Sequence, residues 1–377
     1  MHASAHFLFS TDKVVARGKT SISILRPLKG LVDSLEENLE SLCQQDYPTF
    51  EIIVTAADEN DPALVVAKRV RDKYPSVAFR VLSGQWDTGL NPKVRLLRYM
   101  LSRAKFNSIL VSDDNVRVRH DYLRVMAAAL TKENTGLVSN LVVGVGAKGV
   151  GAICENLLLN TFVLSSVAAS YLFGYPVVIG KSMLFRREAL MNAGGFAAFA
   201  DVLAEDHLLG RAVQEAGYRV VTLGYPVYTV NSNWTLSRTI GRHLRWCKIR
   251  ANVTPWIFPF EPLAHPVIIF SGTFLVVSVL GVKVPLQSML TAIIGVFLVT
   301  LSEIVLVRKV QGRSFRAFEI ALLPLRSLVA LAAYVGSSCV SVVHWREQPC
   351  RIGKNSRIIP TKSAGQVERR VMARRAA

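Results

Sequence analysis

From Ser21 to Asn115 the spacing of apolar residues switches between two periods. Four short runs are rich in β-branched residues and bounded by polar clusters, so they read as strands: SISIL (21–25), FEIIVTAA (50–57), AFRVLS (78–83) and SILVSDD (108–114). Between them, LVDSLEENLESLCQQ (31–45) and PALVVAKRVRDKY (62–74) repeat their apolar residues at helical spacing. Strands alternating with helices of this length predict parallel β-α-β units and an α/β class. Such sheets bind ligands at the carboxyl ends of their strands, so the residues that follow each strand are the candidates for chemistry.

The pattern changes after residue 262. Pro266–Val282, Val284–Ser302 and Ser327–Val343 lack charge. Each has about 17–19 residues, near the minimum for crossing a hydrocarbon core of roughly 30 Å. GVKVPLQ between the first two makes a tight turn, which predicts a hairpin over 266–307. The third is entered through Glu319, Pro324 and Arg326, which predicts a re-entrant or interfacial segment over 319–343. The expected organisation is an N-terminal segment (1–20), an α/β domain (21–262), membrane-embedded helices (263–345) and a basic tail (346–377). Interfacial helices are expected near 155–178 and 237–262; for the first, an ordinary packed helix is an equal reading.

Composition agrees with a soluble domain joined to a membrane part. The 377 residues are 51% hydrophobic with mean hydropathy +0.32, yet 19% are charged. A formal net charge of +18 raises the question of nucleic acid. Zinc-finger spacing, RNP-type strands and helix-turn-helix patterns are all missing. The basic residues lie instead beside the apolar runs, at Arg308, Lys309, Arg313 and Arg316, and from Arg346 to Arg375. That placement favours an anionic membrane surface, a cytoplasmic side and no nucleic-acid partner. It also keeps the tail inside, so both ends of the chain are expected in the cytosol around one hairpin. The five cysteines are scattered and form no C-x-x-C, which argues against a disulfide framework. MHASAHFLFS is too short and polar for a cleavable signal peptide.

Two acidic clusters follow predicted strands. TAADENDP brings Asp58, Glu59 and Asp61 after the second, where solubility alone is an equal reading. LVSDDNVRV delivers Asp113 and Asp114 straight from a buried strand. Adjacent carboxylates repel unless a cation relieves them, and hard oxygen ligands suit Mg²⁺ or Mn²⁺ shared with a phosphate. A turn or cap is the alternative for Asp113. Further on, Glu205 and Asp206 open a helix in LAEDHLLGRAVQEAG, where a carboxylate is favoured by the dipole whether or not it does chemistry. In TIGRHLRWCKIR (239–250), Arg242, Arg245 and Trp246 fit either a membrane-surface collar or a clamp for an anion.

In this order, QDYPTFEIIV with its acidic cluster, SDDNVRV, GGF…AEDHLLG and R-x-x-R-W resemble membrane glycosyltransferases of the GT-A fold. More narrowly, ILRPLKG, DPALVVAKRVRDKYP, GLNPKV, AEDHLLG, RHLRWCKIR and WREQPCRIG are similar to ceramide glucosyltransferases, from about residue 21 to 357. The resemblance implies a GT-A-like nucleotide-sugar-binding domain with a mainly parallel sheet, followed by C-terminal membrane helices. It implies inverting transfer of glucose or another hexose from a UDP-sugar, such as UDP-glucose, to the primary hydroxyl of ceramide. A hopanoid-pathway N-acetylglucosaminyltransferase and a processive polysaccharide synthase are the alternatives. By position, Asp61 helps to hold the nucleotide, Asp113 meets Mg²⁺ or Mn²⁺ and the diphosphate, and Asp206 is the base. Arg242, Arg245 and Trp246 lie near the diphosphate and acceptor. The implied enzyme is integral to the inner or cell membrane, with its catalytic domain facing the cytoplasm. Two departures stand out: Asn115 replaces a second carboxylate, and 1–20 offers no equivalent of the relatives' N-terminal membrane helix.

Overall fold

The structure, a computed structural model, describes residues 20–265, 270, 272, 274–275, 277, 279–281, 286–345 and 348–361. Most of the first expected span, Pro266–Val282, and the tail after Thr361 lie outside the described residues. Two compact units emerge. One comprises the chain up to Gly146 with Leu164–Ser232, the other Ala147–Val163 with the chain from Asn233 onward. The division expected at residue 262 therefore falls inside the second unit.

In the first unit, β1 (Ile22–Pro27), α1 (Leu35–Cys43), β2 (Phe50–Ala56), α2 (Pro62–Lys73) and β3 (Ala78–Ser83) follow the predicted alternation. Then come α3 (Pro92–Leu101), β4 (Ser108–Ser112), β5 (Val116–Arg117), α4 (Tyr122–Leu130) and β6 (Thr135–Val145). The eight-stranded sheet has the order β3-β2-β1-β4-β7-β6-β8-β5, where β7 is Ser182–Arg186 and β8 is Arg219–Val230. Strands β1 to β4 are mutually parallel, as are β6 and β8, whereas β7 runs antiparallel to both β4 and β6. Strands β1, β2 and β4 bury both faces, so their side chains divide by parity. Ile22, Ile24, Ile52 and Val54 join Leu39, Leu42 and Met126 in one core layer. Leu25, Ile53, Ile109 and Val111 join Val94, Leu97 and Leu209 in the other.

Polar residues interrupt β6 and β7, and three of them, Ser139, Asn140 and Ser182, are buried and paired. Ser139 Oγ donates to the Ser182 carbonyl at 3.0 Å, Ser182 Oγ to Asn140 Oδ1 at 2.6 Å, and Asn140 Nδ2 to the Tyr225 carbonyl at 3.0 Å. Satisfied in this way, the network costs little and fixes the strand register.

The second unit begins with α5 (Val150–Leu158) and a π-helical turn at Leu159–Val163; the chain then re-enters the first unit as α6 (Leu164–Leu172). The helical stretch Val150–Leu172 is mostly buried, so for much of the expected interfacial segment 155–178 the packed-helix reading describes it better. In the first unit, α7 (Arg187–Asn192) and α8 (Glu205–Glu215) follow β7. The second unit resumes with α9 (Leu236–Val253), α10 (Leu286–Gln311), α11 (Ala317–Ala321) and α12 (Leu323–Cys339). Helix α10 has 26 residues and contains an 18-residue stretch of mean hydropathy 2.4, with Ile293, Phe297, Leu301 and others exposed. At 1.5 Å per residue it reaches about 39 Å, long enough to cross a bilayer. Helix α12 has 17 residues and would span only about 25 Å. It buries Arg326, Val329, Ala333 and Ser337, a stripe at helical spacing, and it stops at Cys339 rather than Val343.

Across the boundary expected at residue 346, β9 (Val343–Trp345), β10 (Gln348–Ile352) and β11 (Ile358–Pro360) form a small antiparallel sheet, so the region expected as a basic tail includes two strands. Val343, Cys350, Ile352 and Ile358 bury one face of it, and this alternation absorbs Arg351 and Arg357 between apolar neighbours.

Candidate active site

Asp113 is the first residue after β4, and its surroundings follow from the register of that strand with β7. Ser112 pairs with Ser182, which sets Lys181 beside Asp113. Lys181 Nζ lies 3.1 Å from Asp113 Oδ2 and donates to Asn115 Oδ1 at 2.6 Å. A second ammonium, Lys93 Nζ, lies 2.9 Å from Asp113 Oδ1 and 3.1 Å from Glu205 Oε1, and donates to the Gly180 carbonyl at 3.2 Å. Burial opposes the charge on Asp113, but the two ammonium groups outweigh it and hold its carboxyl well below the usual range. Burial works against Lys93 too, yet Asp113, Glu205 and Asp206 raise it above an ordinary lysine. Burial pushes the Glu205 carboxyl up despite the opposing pull of Lys93.

Lys93 reaches this position because Asn91 and Pro92 start α3 there. Asn91 caps the helix by accepting from Val94 N at 3.1 Å, while its amide donates to the Val202 carbonyl at 2.7 Å and Glu205 Oε2 at 3.3 Å. Leu90 N adds a bond to Asp201 Oδ1 at 2.9 Å. Gly89 turns the chain with φ +109°, and a Cβ there would stand 2.8 Å from that of Ala200. GLNPK is therefore a clasp that ties the start of α3 to the start of α8.

Asp206 lies in the first turn of α8. Its Oδ2 accepts from Gly180 N at 2.6 Å and its Oδ1 from His207 N at 2.8 Å. A Cβ on Gly180 would fall 2.7 Å from Lys93 Nζ and 2.9 Å from Asp206 Oδ2, so glycine lets the backbone pass between them without displacing either group. The structure thus brings Asp113 and Asp206 together around Lys93. Asp61 does a separate job at the end of β2: it caps α2 through Ala63 N at 2.9 Å and holds the loop after β1 through Gly30 N at 3.0 Å. Asp114 is buried near Arg26, whose guanidinium burial lowers to about 10 against the pull of Asp114 and Asp113.

Within the second unit, Arg242, Arg245 and Trp246 lie on α9. Arg242 is only 8% exposed, and its Nη1 donates to the fully buried Glu155 Oε1 at 2.9 Å. Its guanidinium stands 4.4 Å from the Trp246 ring centre and 5.1 Å from that of Trp234. His243 Nε2 is 3.0 Å from Glu155 Oε2. Arg245 and Trp246 are partly exposed, and Arg245 Nη1 donates to the His344 carbonyl at 3.1 Å.

The model of glycosyl transferase family 21 matches residues 3–358. The chain belongs to that family. Ceramide glucosyltransferase 3 of Caenorhabditis elegans is 27% identical over 345 residues, covering 90% of this chain and 74% of that protein. Ceramide glucosyltransferase of Komagataella phaffii is 28% identical over 314 residues, 67% of this chain and 60% of that protein. Among solved structures, a mannosyltransferase from Pyrobaculum calidifontis in complex with GDP-Man and Mn²⁺ superposes with TM-score 0.52 at 17% identity. It covers 89% of this chain and 95% of that one. That likeness shows the fold, GT-A-like as the resemblance implied, and the family makes this protein a glycosyltransferase.

The resemblance implied a divalent cation at Asp113, and the surrounding donor set bears on that expectation. Among the described residues, no three His, Cys, Asp or Glu side chains are grouped as metal ligands. Of the two carboxylates that follow β4, Asp114 is buried near Arg26 and Asp113 lies between the lysines, while the Asn115 amide oxygen is taken by Lys181. These residues fit a cation that draws its other ligands from phosphate and water, as Mg²⁺ commonly does, but not a protein-only cage. Lys93, Lys181 and Glu155 are the partners of the expected site residues that sequence reasoning missed. GLNPK carried a signal, because Asn-Pro before a lysine starts a helix at that lysine. Nothing local marked Lys181 or Glu155.

Proposed function

We propose that this family 21 glycosyltransferase moves glucose or another hexose from a UDP-sugar to the primary hydroxyl of ceramide, with inversion, giving a β-glycosylceramide. The observation that carries the reading is the Asp113–Lys93–Asp206 cluster, which sets a cationic centre beside a carboxylate at the carboxyl end of the sheet. Inverting transfer needs a base for the incoming hydroxyl, and the Asp206 carboxylate takes that proton. Charge then grows on the departing UDP, and the Lys93 and Lys181 ammonium groups lie where they can offset it. Asp113 would hold Mg²⁺ or Mn²⁺ together with the donor diphosphate, and that cation would supply Lewis-acid charge to the leaving group. Arg245 and Trp246 contribute to donor and acceptor handling, as the family resemblance suggests.

The apolar helix α10 supports a membrane location, where a lipid alcohol and a water-soluble donor both have access, with the catalytic unit on the cytoplasmic side. The test supplies purified enzyme with ceramide and, in parallel, UDP-glucose and UDP-N-acetylglucosamine, followed by mass analysis of the lipid product. A hexosylceramide from UDP-glucose supports the reading. Transfer of N-acetylhexosamine to a different lipid, or a polymer, replaces it.

A further inference from the structure

Asp113 is the residue that would receive a divalent cation, yet neither of its carboxylate oxygens is open. Lys93 Nζ stands on one at 2.9 Å and Lys181 Nζ on the other at 3.1 Å. Both lysines are largely buried, so solvent screens little of their charge. A bare cation entering here would meet two ammonium groups at contact distance and gain a single carboxylate. Mg²⁺ gives up its hydration shell reluctantly, and this exchange offers it too little.

A nucleoside diphosphate changes the balance. It brings several anionic oxygens that complete the cation's shell and give the displaced ammonium groups new partners. Each lysine also keeps a second anchor away from Asp113: Glu205 Oε1 at 3.1 Å for Lys93, and Asn115 Oδ1 at 2.6 Å for Lys181. The ammonium groups can therefore leave the carboxylate without being stranded.

We propose that Lys93 and Lys181 occupy the cation position at Asp113 in the nucleotide-free enzyme, so that a divalent cation enters only together with the nucleoside diphosphate. This inference rests on the donor reading above. It makes the two lysines positioning residues that order the binding steps: diphosphate and cation arrive as a unit, and the freed ammonium groups turn onto the phosphate.

The experiment titrates Mn²⁺ into the purified full chain and follows unbound Mn²⁺ by electron paramagnetic resonance, with and without UDP. UDP binding in chelator is measured separately. Wild-type protein is expected to take up Mn²⁺ only when UDP is present. Lys93→Met combined with Lys181→Met is expected to bind Mn²⁺ without UDP at least about tenfold more tightly than wild type, equivalent to about 1.4 kcal/mol. Should the double variant fold poorly, Lys181→Met alone is expected to shift in the same direction, and Lys93→Arg, which keeps the charge, is expected to stay UDP-dependent. Equal uptake by wild type with and without UDP overturns the inference, as does a lack of gain in the folded lysine variants. Absence of UDP binding under every condition would strike the donor reading instead.

Discussion

The two units hold their buried charges in different ways. In the first, the carboxylate after β4 is met by lysines, each with more than one partner. In the second, Glu155 is closed by Arg242 and His243, and Glu303 by Arg326 at 2.8 Å. Arg326 also donates to Thr161 Oγ1 at 2.7 Å. Lysine is a point charge on a flexible stem and can change partners, whereas the planar guanidinium fixes geometry. Even in the first unit, the arginine that only braces the fold behaves like those of the second. Arg26 is fully buried and donates to the Asp114 and Val116 carbonyls at 2.8 and 2.7 Å. Charges expected to be rearranged by a ligand are thus carried on lysine, and those that set a scaffold on arginine.

The largest effect expected is on Asp206. Asp206→Asn keeps an acceptor for the Gly180 and His207 N–H groups but cannot take a proton, so transfer should fall by about 10²–10⁴-fold with UDP affinity nearly unchanged. Steady-state rates alongside UDP binding check this; parallel loss of both would make Asp206 a structural cap. Next in size is Glu155→Leu. It strands Arg242 in a buried site, and removing one member of a buried pair costs about 3–5 kcal/mol. A thermal melt should show a large drop for Glu155→Leu and a smaller one for Asp113→Asn, while only the latter abolishes Mn²⁺ uptake with UDP. The reverse ranking would break the contrast between the units.

Much of the first unit was legible because both faces of its sheet are buried. Short runs rich in β-branched and apolar residues marked β1 to β4, and β3 starts and stops at the residues expected, 78 and 83. β6 and β7 were not legible, since Ser139, Asn140 and Ser182 break their runs and only the folded network shows these groups satisfying one another. The carboxylates were legible for the same reason as the strands they follow. Their cations were not: Lys93 reads as an ordinary helix lysine until the Asn91 clasp aims it inward, and Lys181 depends on a strand pairing some 70 residues distant in sequence (Ser112 with Ser182). The buried half of R-x-x-R-W was hidden too, because its partner Glu155 stands 87 positions away.

A smaller effect is expected from exchanging the two kinds of cation. Arg242→Lys retains the charge opposite Glu155 but loses the flat stacking between Trp234 and Trp246, worth up to about 2 kcal/mol when desolvated. The melting temperature should fall by less than in Glu155→Leu, with Mn²⁺ and UDP binding unchanged. A loss of UDP affinity without a change in melting would give Arg242 a ligand role in place of the scaffold role.

The smallest effect is the pH dependence carried by Asp113, and its sign follows from the direction of the shift. The ammonium groups hold its carboxyl below the unfolded value of about 3.9, so the folded state binds the proton less readily than the unfolded chain. The ion pairs therefore contribute their full stability above that unfolded value and lose it as pH falls toward the lower folded value. The change read by melting is modest because only the first part of that loss falls above about pH 3.5, the folded value lying well below. Asp113→Asn cannot ionise, so the variant should start less stable at neutral pH and lose less on acidification. Melting curves of both proteins between neutral pH and about pH 3.5 should converge as the pH falls. Parallel curves would mean that the carboxylate is no better stabilised in the fold than in water, and the lysines would then be bracing Glu205 and Asn115 rather than guarding Asp113.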